Sequence, residues 1–398
     1  MTDADPLHRR GRELFSLDPT VTYLNHGAFG AVPIPVQRAQ QRLRDEVDAN
    51  PMAFYHRSLA ERLAEARARV AGLLGSDPEG TALVANATAG TQTVLGSLGL
   101  AAGDEVLLTD HGYGAVRMQV QRLAETTGVV AREVPIPLDA GDEEIVASIV
   151  DAVRPDRTRL VIIDHITSPT ARLFPVARIA AAGRELGVPV LVDGAHAPGM
   201  LALDVPALGA DFWLGNLHKW AFAARPTAAL VVAPQHRARM QPLVVSWWRE
   251  DGFPSAIEFA GTLDYTAWLA APTALDLLGE LDVAAVRRHN ADLAAYGQRT
   301  VADALGLDPA GLPMPSPSTS PEASTVSMRL IPLPPGLADD GSAANALALR
   351  IATELRCEVP VYVWQGRGML RLSAQIYNRP EDYERLADGL RGLRAQAA

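Results

Sequence analysis

The chain has 398 residues, of which 48% are hydrophobic, so it is long enough to bury a sizeable core and to form two domains. Its formal net charge of -10 argues against nucleic acid and anionic membranes as partners, because no basic run offsets that charge. The single cysteine, Cys357, excludes an internal disulfide framework. Residues Met1–Pro6 show no leader peptide and no stretch is apolar enough to span a membrane, so we expect a cytoplasmic protein.

Short apolar runs alternate with segments of helical periodicity over the first two thirds of the chain. This alternation predicts an α/β fold with a mainly parallel, doubly wound sheet of seven strands. The predicted strands are Ala82–Asn86, Glu105–Thr109, Val129–Pro135, Leu160–Asp164, Val190–Asp193, Phe212–Leu214 and Ala228–Val232.

The pattern changes after about residue 258, where long helical stretches are followed by Pro- and Ser-rich loops at 313–321 and 332–336 and a strand at 326–331. These features predict a smaller C-terminal α+β domain. We therefore expect an N-terminal segment over residues 1–20, a large domain over 21–258 and a small domain over 259–398.

An acid and a lysine follow two of the predicted strands. Asp193 emerges at the end of the buried run Val190–Val192, and open α/β sheets bind ligands at that edge. Lys219 lies among aromatic residues such as Trp213 and Trp220, which favour a neutral amine. Pyridoxal phosphate needs an amine to form an imine and an acid at its pyridine nitrogen. Taken alone, the lysine is more often a solvated surface charge, and the aspartate is equally a turn residue.

Further polar and aromatic residues follow the strands at the same edge. His196 either reaches the cofactor ring or bonds the backbone as an ordinary loop histidine. Residues 82–91 run from a strand into a helix, whose free amides can hold a phosphate dianion, although Thr88 by itself is equally an ordinary cap. Tyr113 or His111 either covers the cofactor or simply packs.

Short motifs with a recognisable pattern run through nearly the whole chain. They are Tyr23–Gly30, Asn86–Thr88, Thr109–Ala115, His165–Thr170, Val192–Gly199, His218–Trp220, Val245–Trp247 and Arg371–Asn378. Together they resemble the class V, fold-type I pyridoxal-phosphate enzymes, the group of the cysteine desulfurases and isopenicillin N epimerase, and most of all the epimerase branch. The resemblance implies the fold and the cofactor, pyridoxal 5'-phosphate, more specifically than the reaction, and it places the enzyme in secondary metabolism.

The resemblance also assigns cofactor roles to residues of the large domain. It implies that Lys219 forms the imine with the cofactor, that Asp193 pairs with the ring nitrogen, and that His196 sits near the phenolic oxygen. Tyr113 covers the ring in this assignment. The implied catalytic residues are Lys219, Asp193, His196 and Tyr113, and the implied cofactor-binding residues are Ala87, Thr88, Tyr113, Ser168, Asp193, His196, Asn216, His218, Lys219 and Thr262.

Substrate binding and assembly follow from the same resemblance. Arg371 matches the arginine that forks onto the substrate α-carboxylate, a geometry that guanidinium suits better than ammonium. Asn25, His26 and Trp247 match the substrate pocket. Members of the family are homodimers in which a Gly-Thr pair crosses to the neighbouring phosphate, and Gly261–Thr262 fits that place. The implied partners are a small amino-acid-type substrate and a second copy of the chain.

Two departures limit the resemblance. Residues 223–229, after the lysine, contain no glycine where the family usually has one. A short segment joins Trp248 to Phe259, where the epimerases carry an insertion. We therefore expect a reshaped substrate mouth and do not assume the bulky tripeptide of that epimerase as substrate.

Cys357 is the one residue that suggests a desulfurase, because those enzymes place a nucleophilic cysteine shortly before the arginine that corresponds to Arg371. However, residues 357–364 alternate like a strand, with Cys357 on the side of Val359 and Val361. The pattern predicts a small buried hydrophobic residue rather than a nucleophile.

Removal of the α-proton of a bound amino acid leads to several reactions. We predict an isopenicillin N epimerase-like epimerisation of an amino acid or a peptide-linked amino acid, with Lys219 as the base. A second donor on the opposite face is Tyr113, His26 or water. The alternatives are C–S β-elimination, a desulfurase-like activity and transamination.

A metal-dependent hydrolase is a remote alternative, because Asp164, His165, Asp193, His196 and His218 all lie at strand ends. It leaves Lys219 and the phosphate-type loop without a role, and we expect no metal. The sequence contains no dinucleotide fingerprint and no Walker motif.

Overall fold

The computed structural model describes residues 6–316 and 322–397 of the protein. Residues 317–321 of the predicted loop at 313–321, and residues 1–5 and 398 of the predicted terminal segments, lie outside the described residues. The strands are β1 (Thr22–Tyr23), β2 (Thr81–Val84), β3 (Glu105–Thr109), β4 (Val130–Val134), β5 (Thr158–Asp164), β6 (Val190–Asp193), β7 (Phe212–Asn216), β8 (Ala228–Val232), β9 (Met328–Pro332), β10 (Cys357–Glu358), β11 (Val361–Trp364) and β12 (Arg367–Ser373).

The α-helices lie between these strands. They are α1 (Pro6–Leu14), α2 (Ile34–Ala49), α3 (Leu59–Leu74), α4 (Ala87–Ser97), α5 (Gly114–Thr127), α6 (Asp142–Ala152), α7 (Val176–Leu186), α8 (Pro234–Arg237), α9 (Ser255–Glu258), α10 (Thr266–Leu269), α11 (Ala271–Glu280), α12 (Val283–Ala304), α13 (Gly341–Glu354) and α14 (Pro380–Ala397). Within residues 6–316 and 322–397, no helix is both long and apolar enough to cross a bilayer.

A seven-stranded sheet has the order β2-β8-β7-β6-β5-β3-β4. Its strands are parallel except β8, which runs antiparallel to both β7 and β2. Only residues 217–227 connect β7 to β8, and a parallel crossover needs a dozen residues or more, so the strand returns antiparallel. The seven predicted strands all fall in this sheet, and the prediction of a mainly parallel α/β sheet is confirmed.

The middle of the sheet is buried on both faces, as the continuous apolar runs of β5 and β6 require. One cluster of buried side chains fills the space between strands and helices: Val94, Val106, Leu108, Val116, Leu160, Ile162, Leu191, Phe212 and Leu230. Close packing of this kind leaves the strands little freedom to shift, so their carboxyl ends form a rigid platform.

Contacts divide the described chain into two units, residues 35–168 with 174–279 and residues 6–34 with 169–173, 280–316 and 322–397. The first, the sheet unit, contains the seven-stranded sheet, and the second we call the terminal unit. The N-terminal residues belong to the terminal unit because β1 pairs with β10, with Thr22 opposite Cys357. The sequence places the boundaries at 20 and 258 instead, and those domain boundaries stay predictions.

The terminal unit has an antiparallel sheet in the order β11-β12-β9, and the helices α12 and α14 pack against each other. The α+β architecture is therefore as predicted. The continuous strand predicted from Cys357 is divided into β10 and β11 by Val359 and Pro360, since proline lacks the N–H that a ladder needs. Cys357 itself is fully buried in a cluster with Leu24 and Val359, and burial raises the pKa of its thiol.

Candidate active site

Asp193, the last residue of β6, is the side chain at the carboxyl edge of the sheet that best indicates a ligand site. It is 2% exposed, and its Oδ1 accepts a hydrogen bond from the Ala195 amide at 2.9 Å. Its Oδ2 is buried and has no hydrogen-bond partner among residues 6–316 and 322–397. Burial raises the pKa of this carboxyl above its ordinary value. A buried oxygen without a donor implies that a ligand supplies one, and a protonated pyridine nitrogen is such a donor.

Lys219 contacts an imidazole whose protonation is fixed by a third residue. His196 Nε2 lies 3.4 Å from Lys219 Nζ, and Trp220 Nε1 lies 3.3 Å from His196 Nδ1. An indole N–H can only donate, so Nδ1 of the neutral imidazole accepts and its proton sits on Nε2. Lys219 accepts that proton in a hydrogen bond only as an unprotonated amine. The arrangement therefore places an imidazole directly beside the amine that imine formation needs.

Gly199 lets the segment that carries His196 pass against the segment that carries Lys219. A Cβ at this position would lie 2.2 Å from the backbone oxygen of Trp220, and the glycine has a φ of 86°. A side chain here would push the two segments apart. The glycine therefore belongs to the geometry that brings His196 and Lys219 together.

The start of α4 has its first-turn amides partly occupied by side chains. Asn86 caps the helix by accepting from the Ala89 amide at 2.8 Å, and Asn216 Oδ1 accepts from the Ala87 amide at 2.9 Å. Thr88 offers its own amide and hydroxyl at the positive end of the helix dipole. Gln119 Nε2 donates to the Thr88 carbonyl at 2.8 Å and fixes the turn from α5. The predicted phosphate site thus has a helix terminus of the required kind.

The turn after Lys219 is made without glycine. Phe222 takes the left-handed conformation, with a φ of 63°, which is uncommon for a residue with a side chain. The His218 ring lies with Nδ1 2.7 Å from the Thr227 carbonyl oxygen. Burial lowers the pKa of His218 to about 4, so this imidazole is neutral at pH 7 and presents hydrogen-bonding groups rather than charge.

Asp164 ends β5 directly beside Asp193 in the register of the two strands. Burial, and then the charge of Asp193, raise its pKa well above the ordinary value, while the Ser168 amide bonds its carboxylate. Burial lowers the pKa of His165 to about 4. No group of three or more side chains within the described ranges 6–316 and 322–397 is arranged to hold a metal ion.

Three predicted residues of the sheet unit lie at its surface. Tyr113, at the start of α5, is 45% exposed. Trp247 is 91% exposed, and Thr262 is exposed as well. The structure therefore brings together Asp193, His196 and Lys219, and joins Ala87 to Asn216, but leaves Trp247 and Thr262 on an open surface.

In the terminal unit, the predicted residues differ in how they are held. His26 is fully buried, with Nδ1 2.9 Å from Tyr377 Oη and Nε2 3.3 Å from Gln375 Nε2. Asn25 Oδ1 is buried and has no hydrogen-bond partner in the part of the chain that the structure describes. Arg371 is 5% exposed in the middle of β12. His26 thus lies within a hydrogen-bonded frame that it forms with Tyr377 and Gln375. The side-chain oxygen of Asn25, in contrast, is a buried acceptor for a ligand.

Sequence reasoning missed three residues, two in the sheet unit and one in the terminal unit. Gln119 supports Thr88 from another helix, and the sequence carries no signal for that contact. Asp164 enters the prediction only as a metal ligand, although its strand-end position is the signal that identified Asp193. Tyr362 lies on β11 with a buried hydroxyl that has no partner within residues 6–316 and 322–397, and the charge of Arg371 acts on it. The sequence does contain a signal for Tyr362, because the alternation of β11 and β12 places it on the same face of the sheet as Arg371.

The fold and the site together define a fold-type I pyridoxal-phosphate enzyme. The profile of the family Aminotransferase class-V matches residues 22–386, and the chain belongs to that family. It is 35% identical to the isopenicillin N epimerase of Streptomyces clavuligerus, with 99% of each chain covered. It is 32% identical to a putative L-cysteine desulfhydrase of Oryza sativa subsp. japonica, covering 94% of this chain and 83% of that one.

A solved structure of similar fold is a mutant of C-DES with glycine covalently linked to its pyridoxal-phosphate cofactor. The TM-score is 0.77 at 24% identity, with 96% of this chain and 98% of that one covered. Pyridoxal phosphate is the cofactor of this chain. The predictions of family, fold class, cofactor and enzyme are confirmed.

Proposed function

We propose that the chain epimerises the α-carbon of an amino acid or of a peptide-linked amino acid. The observation that carries the proposal is the hydrogen-bonded series from Trp220 through His196 to Lys219, because it places an imidazole against the amine that would take the proton. Similarity to the isopenicillin N epimerases over almost the whole chain favours epimerisation among the reactions that start with proton removal.

The cofactor roles are proposed for the residues predicted from the sequence. When bound, pyridoxal phosphate supplies an electron sink for the charge that develops at the substrate α-carbon. Asp193 holds a proton at the ring nitrogen through its buried Oδ2, and His196 lies near the phenolic oxygen. Ala87, Thr88, Asn216 and His218 surround the phosphate, and Ser168 lies on the substrate side of the cofactor.

The substrate roles are proposed for three residues of the terminal unit and for the exposed Trp247. Arg371 binds the α-carboxylate, and the buried amide oxygen of Asn25 accepts from the substrate. Both ring nitrogens of His26 are hydrogen-bonded, to Tyr377 and to Gln375. His26 therefore shapes the substrate pocket by holding the backbone around it, not by direct contact with the substrate. Trp247 lines the substrate entrance.

Epimerisation needs a proton donor on the face opposite Lys219. Of the two side chains that the sequence offers, His26 is buried and hydrogen-bonded, while Tyr113 is 45% exposed. We therefore propose Tyr113 or a water molecule that it holds as the second donor.

We also propose a homodimer in which Gly261–Thr262 reach the neighbouring active site. Exposed apolar side chains in residues 243–247, and Leu263 next to the segment, favour coverage by a second chain: Leu243, Val244, Val245, Trp247 and Leu263. Tyr265 Oη donates to the Gly261 carbonyl at 2.7 Å and holds the loop in an exposed position. A cytoplasmic location and a role in secondary metabolism belong to the proposal and rest on the sequence alone.

Mixing two inactive variants tests the crossing of Thr262. Lys219→Ala removes the base of its own subunit, and Thr262→Ala removes the group offered to the partner. Mixed dimers contain one site with both residues intact and recover activity. A mixture that stays as inactive as its components shows that Thr262 does not serve the partner.

The second candidate function is C–S β-elimination, favoured by the similarity to L-cysteine desulfhydrases over 94% of the chain. Incubation of amino acids and cysteine conjugates in deuterated water separates the two. Deuterium at the α-carbon together with inversion supports the epimerase, whereas pyruvate and ammonia support the lyase. A protein that exchanges no α-hydrogen with any of these substrates contradicts both.

A further inference from the structure

Glu258 is a buried carboxylate that has no role in the proposed chemistry. It ends α9, and its side chain is 0% exposed. Its Oε2 lies 2.6 Å from the Arg67 guanidinium of α3, and its Oε1 accepts from the Leu83 amide at 2.9 Å. Two charge-assisted hydrogen bonds to different elements make this a cross-link rather than a surface ion pair.

The cross-link lies close in the sequence to two segments with proposed phosphate roles. Leu83 lies in β2, the edge strand of the sheet, so its amide has no strand partner on that side. Four residues later the chain reaches Ala87 at the start of α4. On the other side, Gly261 follows three residues after Glu258, and Phe259 in between stacks against Trp248 at 4.3 Å.

We propose that Glu258 is a positioning residue that couples the phosphate segment at Ala87–Thr88 to the crossing segment at Gly261–Thr262. The inference rests on the proposed phosphate roles of these two segments. With the carboxylate ionised, Arg67 and the edge of β2 hold both segments in place. When it is protonated, Arg67 loses its counter-charge and the two segments become less well fixed.

The charges around Glu258 determine when this change occurs. Arg67 faces it from α3, and the 72% exposed Glu79 reaches Arg67 at 3.7 Å. Tyr265 is the other titratable group whose pKa depends on the charge of Glu258, and the charged side chains of residues 249–251, packed beside α9, are exposed. Burial raises the pKa of Glu258 to about 7, although Arg67 and the Leu83 amide lower it.

The raised pKa gives opposite pH trends for stability and for cofactor binding. The unfolded carboxyl titrates near 4.5, so the folded state holds an extra proton between about pH 4.5 and about pH 7, and this contribution to stability falls as pH rises through that window. Cofactor affinity depends on the ionised form and therefore rises over the same window. A carboxylate that only stabilised the fold would not produce this opposition.

The experiment compares pyridoxal-phosphate dissociation constants, measured by absorbance and fluorescence titration of the apoenzyme, for the wild type, Glu258→Gln and Glu105→Gln. Glu105 is a matched control, because it is 2% exposed and paired with Arg132 and Arg154 at 2.9 Å each, and it lies on β3, next to the opposite edge strand of the sheet. Burial raises the pKa of Glu105, but the two arginines lower it further, so the net shift is downward.

We expect Glu258→Gln to weaken cofactor binding about fivefold to tenfold at about pH 8 and to match the wild type near pH 6. Glu105→Gln should follow the wild-type profile throughout. An effect of Glu258→Gln that is equal at both pH values, or shared by Glu105→Gln, overturns the inference. If Glu258→Gln does not fold, Glu258→Asp keeps the charge and must retain a pH-dependent affinity with a shifted midpoint.

Thr88→Ala separates this inference from the proposed phosphate site. If Thr88→Ala binds the cofactor as tightly as the wild type, the phosphate assignment fails whatever Glu258 does. If Thr88→Ala weakens binding while Glu258→Gln has no effect at any pH, the assignment stands and the positioning role is wrong.

Discussion

The sheet unit and the terminal unit hold their functional residues in different ways. In the sheet unit, Asp193 and Asp164 sit where parallel strands end, so the backbone alone decides their positions. In the terminal unit, Arg371 lies in the middle of an antiparallel strand, and the Ser373 amide of the same strand donates to the Leu24 carbonyl at 2.9 Å. In the proposed assignment, the cofactor residues thus lie at strand ends, whereas the substrate residues lie within a hydrogen-bonded frame.

Lys219→Ala should have the largest effect, because it removes the amine that we propose as both the imine former and the base. We expect a loss of activity on the order of 10⁴-fold, together with loss of the yellow imine absorbance that borohydride removes in the wild type. Lys219→Met, which fills much of the same space without an amine, is the control for packing. If Lys219→Ala retains the absorbance, another amine forms the imine and the proposed role of Lys219 is wrong.

Arg371→Lys tests whether the terminal unit binds the substrate carboxylate. Lysine keeps the charge but lacks the planar fork, so we expect KM to rise about tenfold to a hundredfold while the cofactor spectrum is unchanged. Arg367→Lys, on the same strand but exposed, is the matched control. A fall in kcat at constant KM would instead assign Arg371 to the chemical step.

The frame around His26 is tested by Tyr377→Phe. The change removes the hydroxyl that lies 2.9 Å from His26 Nδ1 in a buried site, so we expect a loss of about 1 to 2 kcal/mol in the free energy of unfolding. KM should rise severalfold, and pyridoxal-phosphate affinity should stay within experimental error. Urea unfolding and cofactor titration measure the two quantities. A large drop in cofactor affinity would remove the distinction between the units.

The sequence predicts the sheet unit well because its signals are local. A buried apolar run that ends in an acid, such as Val190–Asp193, specifies both a strand and the edge at which the acid emerges. The bond from Trp220 to His196 and the support of Thr88 by Gln119 depend on side-chain directions that no periodicity encodes. The break in the strand at Pro360 does have a signal in the sequence, because proline interrupts a strand. The alternation of residues 357–364 outweighs that signal and predicts one continuous strand.

Cys357→Ala should have the smallest effect on activity. It tests whether this residue of the terminal unit is a nucleophile. The thiol is fully buried in an apolar cluster and its pKa is raised, so it lacks both the access and the thiolate character of a nucleophile. We expect turnover within about twofold of the wild type and a loss of about 1 kcal/mol in stability from the missing sulfur. Valine at this position tests packing alone. Abolished turnover in Cys357→Ala, with folding intact, would make the cysteine a reactive group and restore a desulfurase mechanism.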